Sequence, residues 1–180
     1  YVQQMMKYPG FCGGFTWEWC DHAVYMGRTP DNREKYGYGG DFGEFPHDGN
    51  FCMDGLVYPD RTPHTGLLEY KNAMRPLRAR WENEPGGAVI LTNHRDFTDA
   101  SSLFTVRYEV RRSGETMRRG TLPLPPLPPH ESVRVQLPCR LLTEGDRTVV
   151  LSYFLKKDDG VLPAGFPVGF DELVISSDVD

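Results

Sequence analysis

Between Phe104 and Arg111 the chain alternates with a period of two: Phe104, Val106, Tyr108 and Val110 on one side, Thr105, Arg107, Glu109 and Arg111 on the other. That period belongs to a strand with one buried face. Leu77, Ala79 and Trp81 alternate with Arg78 and Arg80, and Val133, Val135 and Leu137 with Arg134 and Gln136. Val149, Leu151, Tyr153 and Leu155 repeat the pattern. Residues 88–92 form a short apolar strand ending at Asn93, residues 116–122 follow a Ser113-Gly114 turn, and residues 166–175 supply a last segment. Seven short strands separated by turns predict a two-sheet antiparallel sandwich. Proline cannot sit in a central ladder, so the run from Pro123 to Pro129 reads as a stiff crossover between the sheets rather than a ligand for a proline-recognising module.

The first part of the chain reads differently. Phe15, Trp17 and Trp19 alternate with Thr16 and Glu18, which predicts one strand with a heavy aromatic face. Residues 20–63 show no sustained period, and so long a loop is either disordered or functional. Its aromatics (Tyr25, Tyr36, Tyr38, Phe42, Phe45, Phe51 and Tyr58) argue against disorder. Residues 65–73 predict a short helix with Thr65 as its cap, Leu67 and Leu68 inward, and Pro76 preventing much continuation. Nothing in this part can cover Phe15, Trp17 and Trp19, so it reads as the tail of a larger domain. The Tyr-Val-Gln-Gln start, with no initiator Met and no signal-type apolar run, fits a chain cut from a longer polypeptide or lacking its true start.

Composition narrows the classes. Twenty Lys and Arg against 25 Asp and Glu leave a net charge of −5, which gives no electrostatic case for nucleic-acid binding. No apolar stretch is long enough to cross a bilayer as a helix. Four scattered cysteines (Cys12, Cys20, Cys52 and Cys139) do not make a disulfide framework. Apolar neighbours predict that Cys12, Cys20 and Cys52 are buried free thiols, which suits a reducing cytoplasm. A zinc site from Cys20, His22 and Cys52 fits no zinc-ligand spacing. Gly37, Gly39, Gly40 and Gly43 lack the helix and the Lys-Ser/Thr ending of a phosphate loop, and read as tight turns.

Three motifs carry a resemblance. Residues 13–21 (GGFTWEWCD), 38–43 (YGGDFG) and 51–64 (FCMDGLVYPDRTPH) resemble, in order and spacing, the bacterial beta-galactosidases of glycoside hydrolase family 2. The resemblance covers the whole chain. It implies a mostly β fold: the end of a (β/α)8 barrel over residues 1–74, followed by an antiparallel immunoglobulin-like β-sandwich over 75–180. Residues 15–19 would be the eighth barrel strand. Barrel chemistry sits at strand C-termini and in the loops that follow them, which is where residues 17–60 would lie.

The family hydrolyses terminal β-galactosides with retention, using two carboxylates about 5 Å apart. By the motif match both lie on barrel strands upstream of this segment, so this chain is implied to hold no catalytic residue and to be inactive alone. Glu18 and Asp21 are rejected as substitutes, since neither matches the nucleophile and loop carboxylates are usually solvated or capping. Trp17 matches a tryptophan that walls the galactose pocket. Phe51 matches a residue whose backbone carbonyl ligates sodium beside the sugar. Asp54 stands where enterobacterial members have Asn, a second sodium ligand, and oxygen donors suit a hard cation. His47, also at an Asn position, reads as a loop histidine with a local hydrogen bond. Asp48 keeps its match at the pocket rim.

Magnesium is implied only for the full-length parent. The implied partners are a β-galactoside, the remainder of the parent chain and, at full length, further copies in a homo-oligomer; nucleic acid and membrane are excluded. Residues 165–172 depart from the family pattern, and their aromatics are expected to pack in the core. The sandwich is given a structural role, holding the last barrel helix and spacing later domains. The main alternative is a noncatalytic carbohydrate-binding or interaction module built on the sandwich. A shift of substrate to β-glucuronides or β-mannosides is opposed by the Phe51 to Leu56 motif.

Overall fold

Residues 1–141 and 148–176 are described in a computed structural model. The chain divides into two compact units, Tyr1–Ala73 and a second that begins at Met74.

The first unit contains helix α1 (Val2–Lys7), strands β1 (Val24–Arg28) and β2 (Glu34–Gly37) and helix α2 (Thr65–Ala73). Strands β1 and β2 form an antiparallel hairpin inside the stretch where no period was expected. The reason is burial: neither face of this ribbon is covered along its length, so selection for alternation is absent. It is held instead by cross-strand pairs. Tyr25 meets Tyr36 edge to face at 5.7 Å, and the Arg28 guanidinium bonds Glu34 at 3.0 Å.

The expected strand at residues 15–19 does not form. A strand needs a ladder partner, and among the described residues none pairs with Phe15, Thr16 or Trp17. Their aromatic neighbours stay exposed: Phe15 is fully so, Trp17 78% and Trp19 62%. Helix α2 has the expected bounds, but of the two leucines expected inward Leu67 is half-buried and Leu68 lies in the open. The thiols also differ from expectation. Cys12 is exposed, and Cys20 and Cys52 are half-buried rather than buried; these and Cys139 are free.

The second unit carries the seven expected strands: β3 (Leu77–Asn83), β4 (Ala88–Asn93), β5 (Phe104–Arg112), β6 (Glu115–Leu122), β7 (Ser132–Gln136), β8 (Thr148–Leu155) and β9 (Pro167–Val174). They form two antiparallel sheets, ordered β3-β4-β7 and β6-β5-β8-β9. Leu77, Val89, Leu91 and Val135 from the first sheet pack with Val106, Val110, Val149, Leu151 and Tyr153 from the second. Of the departing segment, Phe166 and Val168 join this core, but Phe170 is exposed.

The proline run does connect the two sheets, from β6 to β7. Having few N–H groups of its own, it is anchored by others. The buried Asn93 amide donates to the carbonyls of Leu127 at 2.9 Å and Thr98 at 3.0 Å, and its oxygen accepts from the Arg95 N–H. Asp99 caps the one-turn helix α3 (Ala100–Leu103) and also accepts from the Leu127 N–H at 3.0 Å. The Ser101 hydroxyl, and then the N–H groups of Ser101 and Leu127, hold its carboxyl below the usual range.

A buried carboxylate ties sheet to sheet. Asp171 on β9 accepts from the Ala79 N–H on β3 at 2.9 Å and the Tyr153 hydroxyl on β8 at 2.5 Å, and pairs with Arg75. Burial, then the Asp171 charge, pushes the Tyr153 phenol well above its ordinary range.

Removing the Asp171 side chain by Asp171→Ala strands these donors, so urea unfolding of the chain should show a loss of about 3 kcal/mol. Asp99 gives a pH signature. Its folded value lies below the unfolded one of about 4, so its contribution is complete above that pH and is lost as pH falls through the folded value. The stability gap between wild type and Asp99→Asn should therefore be constant near neutrality and narrow below about pH 4. Urea midpoints across that range provide the measurement.

Candidate functional site

The site residues of the first unit lie on two segments that the fold sets side by side. From Glu18 onward the chain runs parallel to residues 54–57. The Glu18 N–H donates to the Asp54 carbonyl at 3.3 Å, and the Leu56 N–H to Glu18 at 2.8 Å. Next come Val57 N–H to Trp19 carbonyl and Asp21 N–H to Val57 carbonyl, each at 3.0 Å. A further bond joins the His22 N–H to the Cys52 carbonyl at 3.0 Å. Trp17 thus precedes the residue bonded to Asp54, and Phe51 precedes the residue bonded to His22.

Asp21 secures this pairing. It is 2% exposed, yet both carboxylate oxygens are used. One accepts from the Gly55 N–H at 2.7 Å and the other bonds His64 Nε2 at 2.7 Å. His64 is fixed in turn by its N–H on the Leu56 carbonyl and by stacking on Tyr58 at 3.6 Å. A side chain at Gly55 has no room, since a Cβ would lie 2.2 Å from the Asp21 nitrogen. Beside them Arg61 reaches the Cys20 sulfur and the Pro59 carbonyl.

The remaining candidate residues are organised locally. His47 Nδ1 accepts from the Gly49 N–H at 3.1 Å, the local bond expected of it, and its ring lies against Gly40. Gly40 takes a φ of +89, which favours glycine, and its N–H donates to Glu44 at 2.5 Å. The N–H groups of Gly40 and Phe42 hold the Glu44 carboxyl below its ordinary range. Asp48 is exposed and accepts the Phe51 N–H on its carbonyl at 3.2 Å.

Trp17, Phe51 and Asp54 all present exposed side chains. Neither the Phe51 carbonyl nor the Asp54 carboxylate is used by another hydrogen bond or ion pair among the described residues. Those are two oxygen donors three residues apart, a set that fits a hard cation such as sodium and not a soft one. Among the described residues no group of three or more His, Cys, Asp or Glu is placed to hold a metal ion, and Cys20, His22 and Cys52 form no such group.

Comparison with known proteins places both units. Residues 1–79 match the family model for the TIM barrel domain of glycosyl hydrolases family 2. Residues 89–176 match the model for domain 4 of beta-galactosidase. The chain belongs to glycosyl hydrolase family 2. Within that family it is 42% identical over 180 residues to a beta-galactosidase of Actinobacillus pleuropneumoniae, covering 99% of this chain and 17% of that protein. It is 37% identical to one of Staphylococcus xylosus, over 97% of this chain and 17% of the relative. A Kluyveromyces lactis beta-galactosidase is 33% identical over 96% of this chain and 15% of its own length. The chain therefore spans about a sixth of the length of these relatives. Its fold is the end of a family 2 barrel followed by an antiparallel sandwich.

Asp21, Gly55 and His64 escaped the sequence reading as a set. Sequence alone reads Asp21 as solvated or capping, but its partners lie 34 and 43 positions away, and no local period reports such a contact. Substituting Gly55→Ala should push the two segments apart at a cost of about 1–3 kcal/mol. Amide hydrogen exchange at Asp21 and Val57 should accelerate about 10- to 100-fold, with the sandwich amides unchanged.

Proposed function

We propose that this chain is a segment of a retaining beta-galactosidase and contributes the rim of its sugar pocket together with a structural sandwich. The observation that carries this reading is the match of both units, in order, to consecutive parts of proteins named beta-galactosidase, over 99% of the chain in one of them. In this reading Trp17 offers its exposed indole face to the apolar C–H side of galactose. The Phe51 carbonyl and Asp54 carboxylate would hold a sodium ion, which supplies a positive charge for sugar hydroxyl oxygens. The Asp for Asn exchange at position 54 adds a negative charge to that donor set.

The pair of carboxylates that a retaining mechanism requires is assigned to the rest of the parent enzyme, as is any magnesium site. The rejection of Asp21 for that role is supported by its surroundings, since both its oxygens are engaged and it is 2% exposed. His47 and Asp48 are assigned to the outer rim. Free thiols at all four cysteines favour a reducing cytoplasm as the working compartment. No helix among the described residues is long and apolar enough to cross a membrane. We assign the full-length protein to a homo-oligomer of the kind large family members form.

The parent enzyme should hydrolyse an aryl β-galactoside, and the 180-residue chain by itself should not. In the parent, Trp17→Ala should lower kcat/KM about 10- to 100-fold by removing one large packing face. A parent with no galactosidase activity, or a Trp17→Ala variant at wild-type efficiency, refutes the reading. Retained sugar binding after removal of residues 1–73 would instead favour a binding module built on the sandwich.

A further inference from the structure

We infer that Asp21 and His64 form a positioning pair that sets the spacing between the sugar-contacting Trp17 and the cation donors at Phe51 and Asp54. The inference rests on the pocket reading above and concerns what fixes that pocket's dimensions. Trp17 and Asp54 lie on segments far apart in sequence, and no disulfide, helix or extended sheet joins them. What joins them is a short parallel pairing that runs from the Glu18 N–H on the Asp54 carbonyl to the Asp21 N–H on the Val57 carbonyl, with a separate bond from the His22 N–H to the Cys52 carbonyl. One isolated bridge, Cys20 to Val57, is all the regular structure it contains.

So short a pairing is weak by itself, and Asp21 supplies the missing restraint. Its backbone N–H donates into the pairing at Val57, while its side chain reaches across to the Gly55 N–H and on to His64. Three contacts from one residue therefore grip both sides of Leu56. His64 closes the loop from below, because its N–H bonds Leu56 and its ring stacks on Tyr58. Tyr58 is itself held in a turn by the Thr62 carbonyl. Shortening the Asp21 side chain leaves the Gly55 N–H and the His64 ring without their acceptor. Asp54, next to Gly55, then loses its fixed distance from Trp17.

The chemistry of the pair separates positioning from catalysis. An asparagine at position 21 still offers an oxygen to the Gly55 N–H and an N–H to His64 Nε2 in its other tautomer. A group that moves a proton or attacks substrate would not survive that exchange. Asp21→Asn should thus restore most of what Asp21→Ala loses. His64→Phe keeps the stack on Tyr58 and removes only the bond to Asp21.

The test uses the full parent enzyme with an aryl β-galactoside, sodium titration, and calorimetric binding of a non-hydrolysed thio-β-galactoside. In folded Asp21→Ala, KM, the sodium concentration for half-activation and the thiogalactoside Kd should each rise about 10- to 100-fold, with a smaller change in kcat. His64→Phe should move all three in the same direction, and Asp21→Asn should return them to within about threefold of wild type. If Asp21→Ala does not fold, His64→Phe and Asp21→Asn decide the matter. An inactive but folded Asp21→Asn overturns the inference by making the carboxylate a chemical participant. Folded alanine and phenylalanine variants with unchanged KM, sodium response and Kd overturn it by leaving the pair a purely structural role. A wild-type parent that neither cleaves the galactoside nor responds to sodium would instead refute the underlying pocket reading.

Discussion

A carboxylate enters a protein interior only when its oxygens find donors there, and each unit of this chain is arranged around one that has done so. In the first unit Asp21 takes the Gly55 N–H and His64, and the path of the chain from Glu18 to Asp21 and from Asp54 to Val57 follows from those two bonds. In the second, Asp171 takes Ala79, Tyr153 and Arg75, and so holds the β3 edge of one sheet to the β8–β9 side of the other. The apolar core of the sandwich supplies most of the burial, but it is direction-neutral. The buried carboxylate adds a geometric restraint on where β9 lies against β3.

The two units were unequally legible, for one physical reason. Strands β3, β5, β7 and β8 turn mainly one face to the core, so burial writes a period of two into Phe104 to Arg111 and its counterparts, while β4 shows as an apolar run and β6 by the Ser113-Gly114 turn before it. The proline crossover was legible for the converse reason, that prolines are excluded from a central ladder. The β1–β2 hairpin buries neither face along its length and left no pattern. Helix α3 is a single turn fixed by the Asp99 cap and the contact to Leu127, which lies 28 positions from Asp99. Residues 15–19 misled in the other direction. They carry a strand's alternation, but alternation records which face is destined for burial and does not supply the hydrogen-bonded neighbour that a strand needs.

The site was legible only in its outline. The motifs at 13–21 and 51–64 pointed to glycosyl hydrolase family 2, because motif spacing survives where local periodicity is absent. They did not reveal that the two segments lie in parallel contact, nor that Asp21 is the bracket between them. Trp17, Phe51 and Asp54 are conspicuous as residue types and exposed in the fold. Asp21 and His64 are ordinary polar residues in sequence and become notable only through their 2.7 Å contact. Residues offered to a ligand and residues that hold them in place carry different signatures, and a sequence displays the first more readily.

Gly55 and Asp54 illustrate how such a site can change over evolutionary time. Gly55 sits with its α-carbon against Cys20 and Asp21, so that position is frozen by steric exclusion. Asp54, one residue earlier, contributes only its backbone carbonyl to the pairing while its side chain projects freely. Its charge can be exchanged without disturbing the bracket at all. A substitution at position 54 can therefore change the local charge in a single mutational step while the paired segments keep their course.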